Sequence, residues 1–281
     1  MIIDGKSIAN DLKATLKTRA QHMDRRLRLG LIVVHETPEI HMFVALKKRF
    51  GEAIGVEVSV LHLPAVGAST ESLLQFILHA THDHDGLVLQ LPIPASFELD
   101  MVLNLFPLSH DVDVVGQTAF QQHKEHTLPF LPPVVGAMAE ILHRQGVHMA
   151  ARKVLVVGDG RLVGAPVIPW AENLGAQVTV ANSTTDNIAD LAREANVIVL
   201  GTGVPGLLKP DMVQEGVIIL DAGTSEDGGV LRGDADPACA EKATIFTPTP
   251  GGIGPITVAK VFENLFMLDR IKEAHKPHVD H

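Results

Sequence analysis

The stretch KVLVVGDGRLVGAP, residues 153–166, decides the fold. Its mostly apolar first half predicts a buried strand, and the glycines that follow lead into a helix. Gly158 permits a tight turn, Gly160 allows the backbone to approach a pyrophosphate, and the N–H groups after Gly164 attract an anion. The GxGxxxG spacing departs by one residue from the commoner GxGxxG, so the position between strand and helix carries the prediction. A plain strand-to-helix turn is the open alternative.

Three similar apolar runs follow this glycine loop, and each closes on small or polar residues. They are AQVTVANS (176–183), ANVIVLGTG (195–203) and GVIILDAG (216–223). This repeated pattern of strands and turns predicts a Rossmann-like, doubly wound dinucleotide-binding domain over residues 121–256. The end of the second strand should carry an acid or a base that reads the ribose, but VTVANSTT supplies neither. Because Asp159 would repel a phosphate near Arg161, the choice between NAD and NADP stays open.

Upstream of this region, strands alternate with helices, which predicts an α/β domain over residues 1–120 with a parallel sheet. The predicted strands are LIVV (31–34), VEVSVLHL (56–63) and GLVLQLPIP (86–94), and the predicted helices begin near residues 7, 40, 70 and 99. The pattern is weak after residue 120, and Pro132-Pro133 interrupts it. A last helix, Thr257 to Glu273, is expected to pack back on the first domain, so residues 257–281 are assigned to it. The fold class is therefore α/β with two domains.

Composition excludes several classes of function. The 281 residues include 23 Lys or Arg and 33 Asp or Glu, for a net charge of −10, which argues against nucleic-acid or membrane-surface partners. The single cysteine, Cys239, excludes an internal disulfide and is typical of the cytoplasm. The sequence contains no tyrosine, so no mechanism can use a phenol of this chain.

A possible catalytic group lies in the first domain. HMFVALKKRF (41–50) places Phe43 and Lys47 on one helical face. Such a lysine is usually solvated, but Gln90 lies within an apolar strand and needs a partner, and DVD (111–113) supplies carboxylates. A half-buried lysine beside a glutamine can have a lowered pKa and act as a general base.

Six segments together resemble the bifunctional methylenetetrahydrofolate dehydrogenase/methenyltetrahydrofolate cyclohydrolase family nearly end to end. They are DGKSIA (4–9), FVALK (43–47), GLVLQLPIP, DVD, the glycine loop and TPTPGGIGPIT (247–257). The resemblance implies a homodimer that oxidises 5,10-methylenetetrahydrofolate with NADP or NAD. It also implies hydrolysis of the methenyl product to 10-formyltetrahydrofolate, with the folate lying in the cleft between the domains.

The resemblance also implies roles for individual residues. Lys47 would be the catalytic lysine, Gln90 the amide that tunes it, and Asp113 the carboxylate that holds the pterin. The implied substrate-binding residues are Phe43, Pro250, Gly251 and Gly252. The implied cofactor-binding residues are Gly158, Asp159, Gly160, Gly164 and Thr224, of which Thr224 would lie near the nicotinamide or its ribose.

The sequence departs from the family pattern at several positions. Phe43 replaces a tyrosine; it can stack on the pterin but has no hydroxyl, so hydrolysis should suffer more than hydride transfer. Val114 replaces a glycine, and Leu131 replaces a threonine. In the glycine loop, Asp159 replaces a basic residue that is often found there, and Gly160 replaces a serine.

Three alternatives to the bifunctional enzyme remain open. One is a paralogue without a cofactor that binds a folate or a protein partner; another is a dehydrogenase of a different substrate. The third is a cyclohydrolase without hydride transfer. HATHDHD (79–85) could hold a divalent cation, but a polar helix end is favoured and no metal is predicted.

Overall fold

The computed structural model describes residues 1–63, 67–227 and 230–274. The chain divides into two compact units. Of the described residues, the glycine-loop unit contains those in the ranges 1–10 and 134–257, and the lysine unit contains those in the ranges 11–133 and 258–274. Residues 121–133 thus belong to the lysine unit, and residues 1–10 belong to the glycine-loop unit. The sequence pattern instead assigns residues 121–133 to the dinucleotide-binding domain and residues 1–10 to the first domain. Residues 275–281, which we assigned to the first domain, lie outside the described residues.

Helices and strands alternate along the described chain. The helices are α1 (Gly5–Gln21), α2 (Pro38–Ile54), α3 (Thr70–Asp83), α4 (Leu99–Asn104), α5 (Gln117–Lys124), α6 (Pro133–Arg144), α7 (Gly164–Asn173), α8 (Ile188–Glu194) and α9 (Ile253–Ala274). The strands are β1 (Arg28–Val33), β2 (Glu57–His62), β3 (Gly86–Leu89), β4 (Lys153–Val157), β5 (Gln177–Ala181), β6 (Val197–Leu200), β7 (Ile218–Asp221), β8 (Ser225–Asp227), β9 (Val230–Arg232) and β10 (Ile245–Phe246). Among the described residues, no helix has both the length and the apolar character needed to span a bilayer.

The lysine unit is built on a parallel sheet with the strand order β2-β1-β3. The central strand β1 is buried from Leu29 onward, as expected for a strand covered on both faces. Helix α9 supplies much of the covering core, and the ring of Phe262 stacks on Phe50 with the ring centroids 5.1 Å apart. This sheet matches the predicted parallel α/β arrangement.

The glycine-loop unit is built on a five-stranded parallel sheet with the order β10-β7-β6-β4-β5. Strands β4, β6 and β7 are almost entirely buried, which explains their continuous apolar sequences. The strand order reverses between β4 and β6, and ligands of open α/β sheets bind at the carboxyl ends of the strands beside such a switch point. The glycine loop follows β4 at this edge, so the predicted doubly wound fold is confirmed.

Candidate functional site

Lys47 is held on the buried face of α2. The helix begins after Thr37, whose Oγ1 accepts a hydrogen bond of 3.2 Å from the Ile40 backbone, and it ends at Gly55, where φ is +85°. Between these caps, Lys47 shares the buried face with Phe50, and only 9% of the Lys47 surface is exposed. A lysine this buried is uncommon and needs polar partners.

Gln90 provides one partner. It directly follows β3, and its backbone N–H bonds to the Ile32 carbonyl at 2.9 Å. The Lys47 ammonium donates to Gln90 Oε1 at 3.3 Å. The buried Gln90 Nε2 has no hydrogen-bond partner among the described residues. Because an unpaired buried donor is costly, this amide can bind an acceptor atom of a ligand that enters the site.

Asp113 provides the electrostatic partner of Lys47. Burial lowers the pKa of Lys47, and the negative charge of Asp113 opposes this effect. Burial raises the pKa of Asp113, and the positive charge of Lys47 opposes that effect. The structure therefore brings the three predicted residues of the catalytic group together. Because its pKa is lowered, Lys47 loses its proton more readily than a solvated lysine does.

Phe43 completes this group from one turn earlier in α2. The Lys47 Nζ lies 5.7 Å from the centroid of the Phe43 ring, within the range of a cation–π contact. The ring is partly exposed, so one part of it remains available to a flat ligand. It offers no hydroxyl to a water molecule or to the lysine.

Asp111 and Asn264 hold the backbone around Asp113 in place. The sequence pattern gave Asp111 only as one of the DVD carboxylates, and it missed Asn264. The carboxylate of Asp111 is fully buried and accepts hydrogen bonds from the Val115 N–H at 3.2 Å and the Gly116 N–H at 2.7 Å. Asn264 of α9 donates from Nδ2 to the carbonyl of Val112 at 2.9 Å. The available signal for this brace was an asparagine directly before the apolar residues Leu265 and Phe266 of α9.

Val114 lies within the same turn and has φ of +58°. This conformation favours glycine and is rare for a β-branched residue. The departure from the family pattern at this position therefore leaves the backbone in the conformation that a glycine would adopt.

The predicted folate-lining segment belongs to the glycine-loop unit. The Gly5 N–H donates to the Gly251 carbonyl at 2.9 Å, and a Cβ on Gly5 would lie 1.7 Å from the Gly252 carbonyl oxygen. Gly251 has φ of +106°. The DGKSIA segment thus needs its glycine so that two backbones can touch, and Pro250 remains exposed beside them.

The glycine loop has the geometry that its sequence predicts. Gly158 has φ of +92°, and a Cβ on Gly164 would lie 1.8 Å from the Gly158 carbonyl oxygen, so the helix start packs directly on the turn. A Cβ on Gly160 would meet no atom closer than 4.0 Å, which leaves this backbone open to a ligand. Among the described residues, the backbone N–H groups of Asp159 and Gly160 have no protein acceptor. These features fit a dinucleotide phosphate at the start of α7.

Asp234 supports the glycine loop through the segment that follows β6, and the sequence pattern did not predict this role. Its buried Oδ2 accepts from the Thr202 N–H at 2.6 Å, the Thr202 hydroxyl at 2.8 Å and the Gly203 N–H at 3.2 Å. A Cβ on Gly158 would lie 2.7 Å from the Gly201 carbonyl oxygen, so the braced segment contacts the glycine loop. Thr224, the remaining predicted cofactor residue, is exposed three residues beyond β7.

The HATHDHD segment shows no metal-binding arrangement. Among residues 1–63, 67–227 and 230–274, no three His, Cys, Asp or Glu side chains are grouped so that they could hold a metal ion. The rings of His79 and His82 lie 5.9 Å apart and tilted, as neighbours on one helical face.

Comparison with known protein families assigns both parts of the chain. Residues 3–113 match the family model described as the tetrahydrofolate dehydrogenase/cyclohydrolase catalytic domain, and residues 132–273 match the NAD(P)-binding domain of the same family. The chain belongs to the tetrahydrofolate dehydrogenase/cyclohydrolase family. Its predicted enzyme class, its place in one-carbon folate metabolism and its cofactor, NAD or NADP, are thereby confirmed, and a paralogue without a cofactor is not favoured.

Individual members of the family match the chain over almost its whole length. The bifunctional protein FolD of Methanoculleus marisnigri is 32% identical over 276 residues, which are 97% of each protein. The crystal structure of the bifunctional enzyme FolD from Campylobacter jejuni superimposes with a TM-score of 0.92 and 28% identity, covering 97% of this chain and 99% of that one. The crystal structure of the Trypanosoma brucei enzyme, complexed with NADP and an inhibitor, superimposes with a TM-score of 0.91 and 26% identity, covering 97% of this chain and 98% of that one.

Proposed function

We propose that Lys47, Gln90 and Asp113 carry the reaction of this tetrahydrofolate dehydrogenase/cyclohydrolase, with Lys47 as the proton-transfer group. The observation that supports this most is the buried Lys47 amine, which donates to Gln90 Oε1 at 3.3 Å within the field of Asp113. A buried amine that loses its proton more readily is suited to general-base chemistry.

In the hydrolytic step, the neutral amine of Lys47 accepts a proton from the water whose oxygen bonds to the methenyl carbon. Lys47 then returns this proton to N5 as the bond between N5 and that carbon breaks, the second water proton leaves to solvent, and the formyl group stays on N10. Gln90 keeps the lysine in position through Oε1, and its unpaired Nε2 donates to an acceptor of the folate. The carboxylate of Asp113 accepts hydrogen bonds from the N–H groups of the pterin. Phe43 stacks on the ring system.

The dehydrogenase step depends on positioning rather than on a protein acid or base. NAD or NADP, when bound, would supply the acceptor for the hydride of the methylene carbon. Gly158, Gly160 and Gly164 would hold its phosphates through the open backbone and the start of α7. As the resemblance implies, Thr224 would lie near the nicotinamide or its ribose, and Pro250, Gly251 and Gly252 would be substrate-binding residues.

We expect hydrolysis to be the weaker of the two activities. Phe43 cannot hydrogen-bond the attacking water, whereas the hydride step needs only that the rings be held together. The assay is direct: purified protein is given methylenetetrahydrofolate with each cofactor, and then methenyltetrahydrofolate alone. Cofactor reduction with slow hydrolysis supports the proposal, and no reduction with either cofactor contradicts it.

The assembly and location of the protein complete the proposal. We propose a homodimer that works in the cytoplasm, since the resemblance implies the first and a single buried cysteine fits the second. Light scattering during size-exclusion chromatography should give twice the chain mass of 30.2 kDa. A mass equal to one chain would contradict the dimer.

A further inference from the structure

The carboxylate of Asp159 lies beside the end of β5, although the residue belongs to the glycine loop. Strands β4 and β5 pair in parallel up to Val157 and Ala181, and the Gly158 N–H continues the pairing with a 2.8 Å bond to the Ala181 carbonyl. One residue further along each segment, Asn182 Nδ2 donates to Asp159 Oδ2 at 3.1 Å. The two side chains therefore meet directly beyond the strands.

The orientation of Asn182 is fixed by its other bonds. Its Oδ1 accepts from the Thr184 N–H at 3.1 Å and from the Thr184 hydroxyl at 2.8 Å. Nδ2 must therefore face Asp159, and it holds that carboxylate in place. Asp159 is exposed to solvent, and among the described residues its Oδ1 has no hydrogen-bond or ion-pair partner.

We propose that Asp159 selects NAD over NADP by accepting a hydrogen bond from the 2′-hydroxyl of the adenosine ribose. In dinucleotide-binding folds, the acid that reads this hydroxyl stands at the end of the second strand, which is the place that Asp159 reaches from the preceding loop. A 2′-phosphate at this place would lose the hydrogen bond and meet a like charge. This inference rests on the proposed dehydrogenase function.

The test is equilibrium binding of NADH and NADPH, followed by the fluorescence of the reduced nicotinamide. Wild-type protein should bind NADH about tenfold or more tightly than NADPH, the discrimination expected when a doubly charged 2′-phosphate lies about 5 Å from a carboxylate in water. Asp159→Asn should bring the two affinities within about threefold of each other, because the charge is gone. Asp159→Ser provides a second, smaller replacement with the same expectation.

Glu172→Gln is the matched control. It removes one exposed carboxylate from the far end of α7 and should leave the ratio of the two affinities unchanged. Equal affinities in the wild type, tighter NADPH binding, or an unchanged ratio in both Asp159 variants would overturn the inference while leaving the dehydrogenase function intact. Binding of neither cofactor, with no folate oxidation, would overturn both.

Discussion

Alanine substitutions in the glycine loop should separate residues that the fold needs from a residue that the cofactor needs. At Gly164 a Cβ would lie 1.8 Å from a backbone oxygen, so the start of α7 would have to move by more than about 1 Å, at a cost of about 3 kcal/mol. At Gly158 the left-handed φ of +92° costs an alanine about 1–2 kcal/mol, and its Cβ would also lie 2.7 Å from the Gly201 oxygen. Both variants should lose stability and cofactor binding together.

Gly160→Ala should behave differently. Its Cβ would meet nothing within 4.0 Å, so the free energy of unfolding should change by less than about 1 kcal/mol. The new methyl would nevertheless stand where the pyrophosphate approaches the backbone, and NADH affinity should fall about tenfold or more. Urea unfolding and NADH fluorescence titration of the three variants measure both effects. If Gly160→Ala were as unstable as Gly164→Ala, or bound NADH like the wild type, the assignment of the loop would be wrong.

Three further predictions test other parts of the account. Burial raises the pKa of Asp111 from 3.8 to about 7, so the folded state holds this proton more tightly than the unfolded chain, and the associated stability is lost as the pH rises from about 4 to 7. We therefore compare the unfolding free energy of the wild type with that of Asp111→Asn at each pH. The difference, wild type minus variant, should fall by about 3 kcal/mol between pH 5 and pH 8, and a difference that does not change with pH would refute this. Phe43→Tyr should raise the rate of methenyl hydrolysis about tenfold with little change in the rate of hydride transfer. The control, Phe43→Leu, should not raise the rate of hydrolysis. A parallel rise of both activities in Phe43→Tyr would count against the role of the hydroxyl. Phe262→Ala should cost about 3–5 kcal/mol in urea unfolding, because its ring fills the core against Phe50, and a loss below about 1 kcal/mol would show that this stacking is dispensable.

The parts of the fold that the sequence predicted are those with strong local signals. The apolar runs of β4, β6 and β7 are buried strands because parallel strands under helices need apolar residues on both faces. Gly55 ends α2 because it takes a left-handed conformation, which favours glycine at the end of a helix. Helix α5 was missed because its sequence, QTAFQQHK, is mostly polar and its apolar positions are few.

The sequence predicted the part of the candidate site in which a buried polar side chain needs a hydrogen-bond partner. A glutamine within an apolar strand must find a partner, and the structure places the Lys47 amine 3.3 Å from Gln90 Oε1. The position of Asp159 beside Asn182 could not be predicted, because it depends on how two loops meet beyond paired strands rather than on sequence spacing. Asp234 lies in a region without periodicity, and only its bonds to the segment after β6 reveal its role.

The role of Lys47 is tested most directly by the rate of methenyltetrahydrofolate hydrolysis in Lys47→Met, with Lys47→Arg as a variant that keeps the charge but cannot act as a base near neutral pH. Both variants should hydrolyse the substrate about 10²–10⁴-fold more slowly than the wild type, while unfolding measurements show that the fold is retained. Hydrolysis at the wild-type rate in either folded variant would contradict the assignment of Lys47 as the proton-transfer group.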